Sequence, residues 1–274
     1  MYCDIIIIGG GISGIYTMYN LKKKYPNLKV CLLESNSRFG GRIYTYREVI
    51  DGKEYYMDLG AGRLGFHHEL ILKLISELNI NNNIIPIPNT KTYIETNNTN
   101  SRDRTNLRNK LMNKLYSLLN SNKIKNLPKK ITQKLYLNQL LCKFLPKSEI
   151  KLIENTFEYI SDLYYFNSFD VINYFKNDYN DKSKFFTLKN GLDTLIYGMI
   201  AKIKSKNYTL HTNSHVNEIQ YNNEENLYNV IYKNNHNIKT IKCKHVVSAL
   251  PRKDLIKFNI LKPFKNIIDT VNDI

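Results

Sequence analysis

The first 34 residues place a glycine-rich turn between an apolar strand and a helix, and this arrangement restricts the fold more than any other feature. The strand ends in the β-branched run Ile5–Ile8, as expected for a strand covered on both faces of a parallel sheet. Helically spaced apolar residues then lead to Lys22–Lys24, which suits the negative end of a helix dipole. A second apolar strand, Lys29–Leu33, closes on Glu34. The segment therefore predicts a compact βαβ unit.

The turn itself has the pattern Gly9-x-Gly11-x-x-Gly14, in which each glycine has a physical role. Gly9 permits the tight turn, Gly11 lets the backbone approach a pyrophosphate, and Gly14 lets helix and strand pack closely. The helix N-terminus offers N–H donors and a favourable dipole to phosphate. Glu34 follows Gly14 by 20 positions and can accept hydrogen bonds from both ribose hydroxyls. The alternative, a turn that serves packing alone, fits this full context less well.

A second glycine turn decides which dinucleotide is expected. Residues 34–42 read E-x-x-x-R-x-G-G-R, and this pattern resembles the hallmark of the flavin-containing amine oxidase family. The resemblance covers residues 1–85 and 186–255, whereas the Asn-rich middle of the chain matches no motif of the family. Four further segments are similar to family motifs in the same order, namely 58–63, 189–195, 215–219 and 246–251. The resemblance therefore implies FAD as the cofactor.

The family motifs imply a set of cofactor contacts, residue by residue. The pyrophosphate would be held by Gly9, Gly11, Ser13 and Gly14. Glu34 would hold the ribose, with Ser35 beside it as a further cofactor contact, and Arg42 would pair with cofactor phosphate or ribose. The flavin would be lined by Gly60, Ala61, Gly62 and Arg63, and the main chain of Val216 would contact adenine. Arg38 is expected to brace the turn rather than to bind.

Arg63 gives the sharpest indication of the substrate. Residues 59–64 are similar to the L-G-x-M-R stretch of L-amino-acid oxidases, in which an arginine near the flavin binds the substrate carboxylate. A planar guanidinium suits that task because it donates two parallel hydrogen bonds. The alternative is that Arg63 pairs with Asp58, Glu69 or the polar edge of the flavin.

The resemblance implies an FAD-dependent amine or L-amino-acid oxidoreductase. Hydride would pass from the substrate α-carbon to flavin N5, water would hydrolyse the imine, and oxygen would be reduced to peroxide. The cofactor carries this chemistry, so no catalytic side chain is assigned. Two alternatives stay open: an inactive FAD-binding or interaction module, and another flavin oxidoreductase of the superfamily, of desaturase or protoporphyrinogen oxidase type.

The predicted fold class is α/β, with a Rossmann-type FAD-binding domain made of a parallel sheet plus a β-meander. Residues 1–85 and 186–260 are expected to form this discontinuous domain. A mainly helical, substrate-type domain is expected as an insertion over 86–185, with helices at Leu107–Asn126, Ile131–Phe144 and Ser148–Tyr164. Because family members continue further, we expect residues 261–274 to begin a missing C-terminal part, supplied by the same chain or by a partner chain.

The net charge of +16 raises the question of a nucleic-acid partner. Nucleic-acid binding usually shows as Lys and Arg clustered on one element. Here the basic residues are scattered in short runs such as Lys129-Lys130. We therefore expect a solvated basic surface and no nucleic-acid partner, while an amine or amino acid is the expected small-molecule partner.

Cysteine usage and hydropathy indicate the compartment. The four cysteines lie far apart without a C-x-x-C pair, so neither a metal site nor a disulfide framework is expected: Cys3, Cys31, Cys142 and Cys243. No apolar run is long enough to span a bilayer, and the N-terminus has no secretory signal pattern. The sequence predicts a cytoplasmic protein that is neither secreted nor bound to a membrane.

Overall fold

The computed structural model describes residues 2–87, 101–156, 160–178 and 184–263. The strands are β1 (Tyr2–Ile8), β2 (Val30–Leu33), β3 (Thr45–Ile50), β4 (Lys53–Asp58), β5 (Leu64–Gly65), β6 (Ile84–Ile87), β7 (Phe185–Leu188), β8 (Tyr208–His211), β9 (Ser214–Asn222), β10 (Leu227–Asn234) and β11 (Asn237–Ser248). The helices are α1 (Ile12–Lys24), α2 (Glu69–Glu77), α3 (Ser101–Asn120), α4 (Asn122–Lys125), α5 (Lys129–Lys134), α6 (Leu137–Leu141), α7 (Lys147–Thr156), α8 (Ile160–Tyr164), α9 (Ser168–Asp178), α10 (Asp193–Ile203) and α11 (Arg252–Leu255).

The chain divides into two compact units. The first contains the described residues within 1–64, 68–85 and 187–274, and the second contains those within 65–67 and 86–186. Most of the segment 261–274, expected to begin a further part, lies outside the described residues.

A six-stranded sheet forms the centre of the first unit, in the order β8-β2-β1-β11-β10-β9. The neighbours from β8 to β11 run parallel, and β11, β10 and β9 follow as an antiparallel meander. Strands β1 and β2 lie near the middle of the sheet. All of β2 and the Ile6–Ile8 end of β1 are buried, as their apolar runs predict. The predicted α/β architecture, a parallel sheet plus a β-meander, is confirmed.

Strand β11 differs from the pattern of the sequence. The sequence predicts a hairpin of Leu227–Lys233 with Ile238–Cys243 and then a separate buried strand over 245–250, whereas the structure has one strand, Asn237–Ser248. Its first half pairs antiparallel with β10, and from Lys242 onward it pairs in parallel with β1. The two pairings overlap at Lys242 and Cys243, on opposite edges of the strand. The shared residues keep the strand continuous from the meander into the parallel sheet.

Helix α1 packs on this sheet and against α10. Its buried face consists of Gly14, Ile15, Met18 and Tyr19, and Lys22–Lys24 occupy its last turn as predicted. Met18 and Ile15 are fully buried. The βαβ unit predicted from the first 34 residues is confirmed, with β2 in parallel register beside β1.

Strands β3 and β4 form a two-stranded hairpin that the sequence analysis did not predict. Its turn residues Asp51 and Gly52 both have positive φ, 50° and 74°, as a tight hairpin turn requires. In the sequence, the Asp51-Gly52 pair is the signal for this hairpin turn. One face of the hairpin exposes large apolar side chains, among them Tyr46, Ile50, Tyr55 and Met57. The other face carries Thr45, Arg47 and Asp58.

The second unit is helical around a leucine-rich core that includes Leu115, Leu137 and Leu140. The helix predicted over Ile131–Phe144 is wrong as a single element, because it is interrupted between α5 and α6. Tyr136 there adopts an extended conformation, and its N–H donates to the Gln139 side chain at 3.1 Å, which starts a new helix. The helix predicted over Leu107–Asn126 is likewise two helices, α3 and α4. The helix predicted over Ser148–Tyr164 corresponds to α7 and α8, and residues 157–159 between them lie outside the described residues.

Strands β5, β7 and β6 form a small third sheet in that order. Within the described ranges, no helix combines the length and the apolar character needed to cross a membrane.

Candidate functional site

The glycine turn after β1 has the geometry that its three glycines predict. Gly9 has φ of 105°, in the region that favours glycine. A Cβ on Gly14 would lie 1.9 Å from the Gly9 carbonyl oxygen, so only glycine allows this close approach of helix and turn. A Cβ on Gly11, in contrast, would meet no heavy atom within 4 Å among the described residues. The packing role predicted for Gly14 is confirmed, and the space that a Gly11 side chain would occupy is open.

The second glycine turn supports the first. The Gly40 N–H donates to the Gly10 carbonyl at 2.8 Å, and Gly11 forms a bridge with Gly40. A Cβ on Gly41 would lie 3.2 Å from the Gly11 Cα. The Arg38 guanidinium donates to three neighbouring carbonyl oxygens, those of Phe39, Gly41 and Ile43. The bracing role predicted for Arg38 is confirmed.

Glu34 lies at the end of β2 and faces the glycine turn with only 6% of its surface exposed. One carboxylate oxygen accepts the Gly10 N–H at 2.6 Å. The other accepts the backbone and side-chain N–H groups of Asn36, at 2.8 and 3.0 Å, and the Ser35 hydroxyl at 3.3 Å. This carboxylate is therefore held in one orientation by the chain itself.

Gly10 is a site residue that the sequence analysis missed. A Cβ at this position would lie 2.9 Å from the Glu34 Cβ and 2.7 Å from the Phe39 ring. Gly10 is thus required for Glu34 to approach the turn. Its signal in the sequence was the unbroken run Gly9-Gly10-Gly11, of which only the first and third glycines belong to the fingerprint.

A cleft of about 340 Å³ opens beside Glu34, at the carboxyl ends of β1 and β2. Four of the predicted cofactor residues line it, and they come from three separate stretches of sequence: Gly9, Glu34, Ser35 and Val216. The Ser214 N–H donates to the Glu34 carbonyl at 2.8 Å, which brings the start of β9 to this point. Ligand pockets of ordinary size begin at about 300 Å³. The cleft can therefore admit a ribose and a purine-sized ring.

Residues after β11 complete the cleft, and the sequence analysis missed them. Phe258 lines the cleft and is buried, and Lys257 lies beside it at the rim, paired with Asp254 at 2.6 Å. No motif marks this stretch after Pro251, so its role could not be predicted from the sequence.

The segment predicted to line the flavin is held by the start of the hairpin. The Ala61 N–H donates to the Arg42 carbonyl at 3.2 Å, and a Cβ on Gly60 would lie 1.9 Å from the same oxygen. Gly60, Ala61 and Gly62 are exposed, and Arg63 is half-buried. The described residues that line the cleft do not include any of these four. Arg42 and Ser13 are likewise exposed and outside the cleft.

His211 lies at the end of β8, opposite Leu33 of β2. Its carbonyl accepts the Glu34 N–H at 2.8 Å, so it borders the strand end that carries the site. Burial lowers the pKa of His211, and nearby Lys239 adds to that effect. Within the described part of the chain, its Nε2 atom is buried without a hydrogen-bond partner.

Three of the cysteines lie in the core of the first unit: Cys3, Cys31 and Cys243. Burial raises the pKa of Cys243 to about 12, which keeps this thiol protonated. Cys3 and Cys31 lie in apolar strand sequences, where small buried hydrophobic residues are expected, and both are buried. No group of three or more His, Cys, Asp or Glu side chains in the described ranges is arranged to hold a metal ion.

Comparison with known proteins gives concordant matches. The sequence model of the family described as flavin containing amine oxidoreductase matches residues 12–265. Human amine oxidase [flavin-containing] B is 40% identical over 78 residues, which are 28% of this chain and 14% of that protein. Coproporphyrinogen III oxidase of Staphylococcus aureus is 31% identical over 91 residues, which are 33% of this chain and 19% of that enzyme.

A solved structure of putrescine oxidase with putrescine bound aligns with a TM-score of 0.62 at 14% sequence identity. The alignment covers 94% of this chain and 60% of that one, so the chain spans less than two thirds of this neighbour. At this identity the likeness shows the fold, and it confirms the predicted Rossmann-type arrangement. Since the family model extends over most of its length, the chain belongs to the family of flavin containing amine oxidoreductases.

Proposed function

We propose that this chain binds FAD, with the adenosine in the cleft beside Glu34 and the pyrophosphate at the N-terminus of α1. Two observations together carry the proposal: the space beside the Gly11 Cα is open, and the Glu34 carboxylate is held in one orientation. Membership of the family implies a flavin, and these two features fit its dinucleotide form.

The N-terminus of α1 suits a pyrophosphate for physical reasons. Gly11 is its N-cap, with extended backbone and without a side-chain hydrogen bond to the first turn. The first N–H groups of a helix lack partners within the helix, and the helix dipole favours negative charge there. Gly11 lets oxygen atoms approach these N–H groups, which a side chain would hinder.

The Glu34 carboxylate suits a ribose with free hydroxyl groups. One carboxylate oxygen already accepts three hydrogen bonds, from Asn36 and Ser35, whereas the oxygen that accepts the Gly10 N–H has a second lone pair free for a ribose hydroxyl. A 2′-phosphate at this place would be repelled by the charge of Glu34. We therefore propose FAD rather than a dinucleotide with a 2′-phosphate on its adenosine ribose.

At the other end of the cofactor we propose that Gly60, Ala61 and Gly62 lie along the flavin. The flavin supplies the hydride acceptor for oxidation of a carbon–nitrogen bond when it is bound. Small residues let the backbone approach a flat ring system. The Arg42 carbonyl fixes the segment through Ala61, so its position is set before the cofactor arrives.

We propose an amine or L-amino acid as the substrate, with Arg63 as the residue that binds a carboxylate. A guanidinium binds a carboxylate through two parallel hydrogen bonds and stays charged at all relevant pH values. Arg63 follows the exposed Gly60–Gly62 stretch directly, so it lies at the edge of the segment proposed for the flavin. A monoamine or polyamine would not need this contact.

Anaerobic reduction of the bound flavin tests this proposal. We expect the FAD-loaded chain to lose its absorbance near about 450 nm when amines or L-amino acids are added without oxygen. If amino acids are the substrates, Arg63→Ala should slow their reaction by about a hundredfold or more, equal to roughly 3 kcal/mol for a lost bidentate contact. Arg63→Lys, which keeps the charge, should recover part of the rate.

Two further functions are tested when a porphyrinogen is added as another candidate substrate in the same anaerobic assay. A bound flavin that no amine or amino acid reduces would favour the binding-module alternative. Reduction by a porphyrinogen but by no amine would favour a tetrapyrrole oxidoreductase, which the similarity to coproporphyrinogen III oxidase supports.

A further inference from the structure

A partly buried charged cluster lies where the β3–β4 hairpin meets the start of α10, outside the cleft, with Asp193 buried and Arg47 exposed at its edge. The Arg47 guanidinium donates to both carboxylate oxygens of Asp193, at 2.9 and 2.6 Å, and to the Asn190 carbonyl at 2.7 Å. Asp193 is only 5% exposed. This two-point geometry fixes the orientation of the guanidinium as well as its distance.

A second set of bonds joins the neighbouring strand to the same loop. The Thr45 hydroxyl donates to Asp58 at 2.6 Å, and the same carboxylate oxygen accepts the Leu192 N–H at 3.0 Å. The Asp193 N–H donates to the Thr45 hydroxyl oxygen at 3.3 Å. Both strands of the hairpin are thus tied to residues 190–193. We call Thr45, Arg47, Asp58 and Asp193 the clamp.

The loop that receives the clamp is shaped for it. Asn190 and Gly191 have positive φ, 69° and 90°. A Cβ on Gly191 would lie 2.2 Å from the Thr45 methyl carbon, so a side chain there would displace Thr45. Both faces of the hairpin expose apolar side chains, among them Tyr55 on the opposite face and Val49 on the clamp face. On the clamp face, the hydrogen bonds of the clamp join the hairpin to the loop.

The clamp lies directly before the segment proposed for the flavin. Asp58 is the last residue of β4, and Gly60 begins that segment two residues later. Between them, the Leu59 N–H donates to the Tyr44 carbonyl at 2.9 Å, so the segment follows the position of the hairpin base. A shift of the hairpin on α10 would therefore move residues 60–63.

We propose that the clamp consists of positioning residues: it sets the place of residues 60–63 against the flavin, while the adenosine is held independently in the cleft. This inference rests on the proposed FAD site. Loss of the clamp should leave binding of FAD largely intact and change the surroundings of its flavin ring.

The test compares Arg47→Ala with Arg47→Lys and a matched control. Lys242→Ala serves as the control, because it removes an ion pair with Glu225 whose N–O distance is also 2.6 Å, on the meander. FAD affinity, flavin fluorescence, the shape of the visible absorption band and the midpoint potential are measured for each variant. These spectroscopic and redox readouts report the flavin environment and do not follow from a loss of stability alone.

For Arg47→Ala we expect the Kd for FAD to stay within about threefold of wild type, because distant sites contribute independently. Its flavin fluorescence should rise, the fine structure of its visible band should be lost, and its midpoint potential should shift. Arg47→Lys should restore part of each signal, and Lys242→Ala should match wild type.

An Arg47→Ala protein that is less stable but has wild-type fluorescence, band shape and potential would overturn the proposal. If Arg47→Ala does not fold, the same measurements on Thr45→Val test the proposal, because this substitution removes the hydroxyl group at nearly constant side-chain volume. Unchanged flavin signals in that variant would overturn the proposal equally. A wild-type chain that binds no FAD would instead reject the proposed function on which the clamp proposal depends.

Discussion

Two alanine substitutions in the first glycine turn should separate folding from cofactor binding. Gly11 has φ of −71° and ψ of −179°, an extended conformation open to any residue, and its Cβ would have free space. Alanine replaces glycine at a helix N-cap at a cost of about 1 kcal/mol or less. We therefore expect Gly11→Ala to keep the free energy of unfolding within about 1 kcal/mol of wild type.

Gly14→Ala should behave in the opposite way. Its Cβ would lie 1.9 Å from the Gly9 carbonyl oxygen and 3.2 Å from the Gly9 carbonyl carbon. Both are backbone atoms of the turn, so relief requires α1 and the end of β1 to separate. Overpacking in a rigid core costs about 1–3 kcal/mol, and a clash with backbone belongs at or above the top of that range. We expect a loss of at least about 3 kcal/mol.

Binding of FAD completes the comparison. In the proposed site, the added methyl group of Gly11→Ala would lie where the pyrophosphate oxygen atoms approach, so about two hydrogen bonds to phosphate should be lost. At about 1.5 kcal/mol for each bond to a charged group, the Kd for FAD should rise about a hundredfold. Urea denaturation without FAD gives the stability, and quenching of flavin fluorescence gives the Kd. The reasoning is refuted if Gly11→Ala binds FAD like wild type, or if Gly14→Ala is as stable as wild type.

Two further predictions concern Glu34 and His211. Glu34→Ala leaves the Gly10 and Asn36 N–H groups without their acceptor, so the free energy of unfolding should fall by about 2–4 kcal/mol even without FAD. Glu34→Gln keeps an acceptor and should cost less. Urea denaturation of both variants measures this. Equal stability of Glu34→Ala and wild type would contradict this. Burial lowers the pKa of His211 in the folded protein. As the pH falls below about 6.5, the unfolded protein therefore binds a proton at this residue before the folded protein does. The free energy of unfolding should therefore be lower at about pH 5 than at about pH 7, and His211→Asn should reduce the difference. Denaturation curves at both pH values measure it. An identical difference in the two proteins would exclude this role of His211.

The parts of the fold that sequence predicted well are those fixed by local patterns. The βαβ unit could be predicted because β1 ends in the unbroken apolar run Ile5–Ile8, the glycine spacing is specific, and Glu34 closes the unit. The hairpin across residues 234–237 could be predicted because two apolar runs flank a short polar turn. In each case neighbouring residues contain the whole signal.

The β3–β4 hairpin was missed for a physical reason. Its apolar face is exposed, and its other face carries Arg47 and Asp58, so neither strand has the pattern of a strand that packs on a core. The Asp51-Gly52 turn was the local evidence. The break before α6 was missed similarly, because a cap formed by Gln139 on the Tyr136 backbone leaves the apolar spacing undisturbed.

The candidate site could be predicted only where a motif marks it. Gly10 and Phe258 have roles that depend on close approach between distant stretches of chain. The fingerprint spacing identifies neither residue, although the run Gly9-Gly10-Gly11 is a weak signal for Gly10. The Arg47–Asp193 pair joins residues 146 positions apart, so a single sequence gives no sign of it. The sequence thus predicts the cofactor-binding turn, whereas the residues that hold the turn and the hairpin in place required the structure.

The most direct test of the central proposal is the amount of FAD that the purified chain retains. The chain is incubated with excess FAD and passed through a gel-filtration column, and flavin absorbance is compared with protein concentration. The proposed site predicts about one FAD for each chain in the wild type, a near-complete loss in Gly11→Ala, and retention in the Lys242→Ala control. A wild-type chain that elutes folded but without flavin would contradict the proposal, as would a Gly11→Ala chain that retains as much FAD as the wild type.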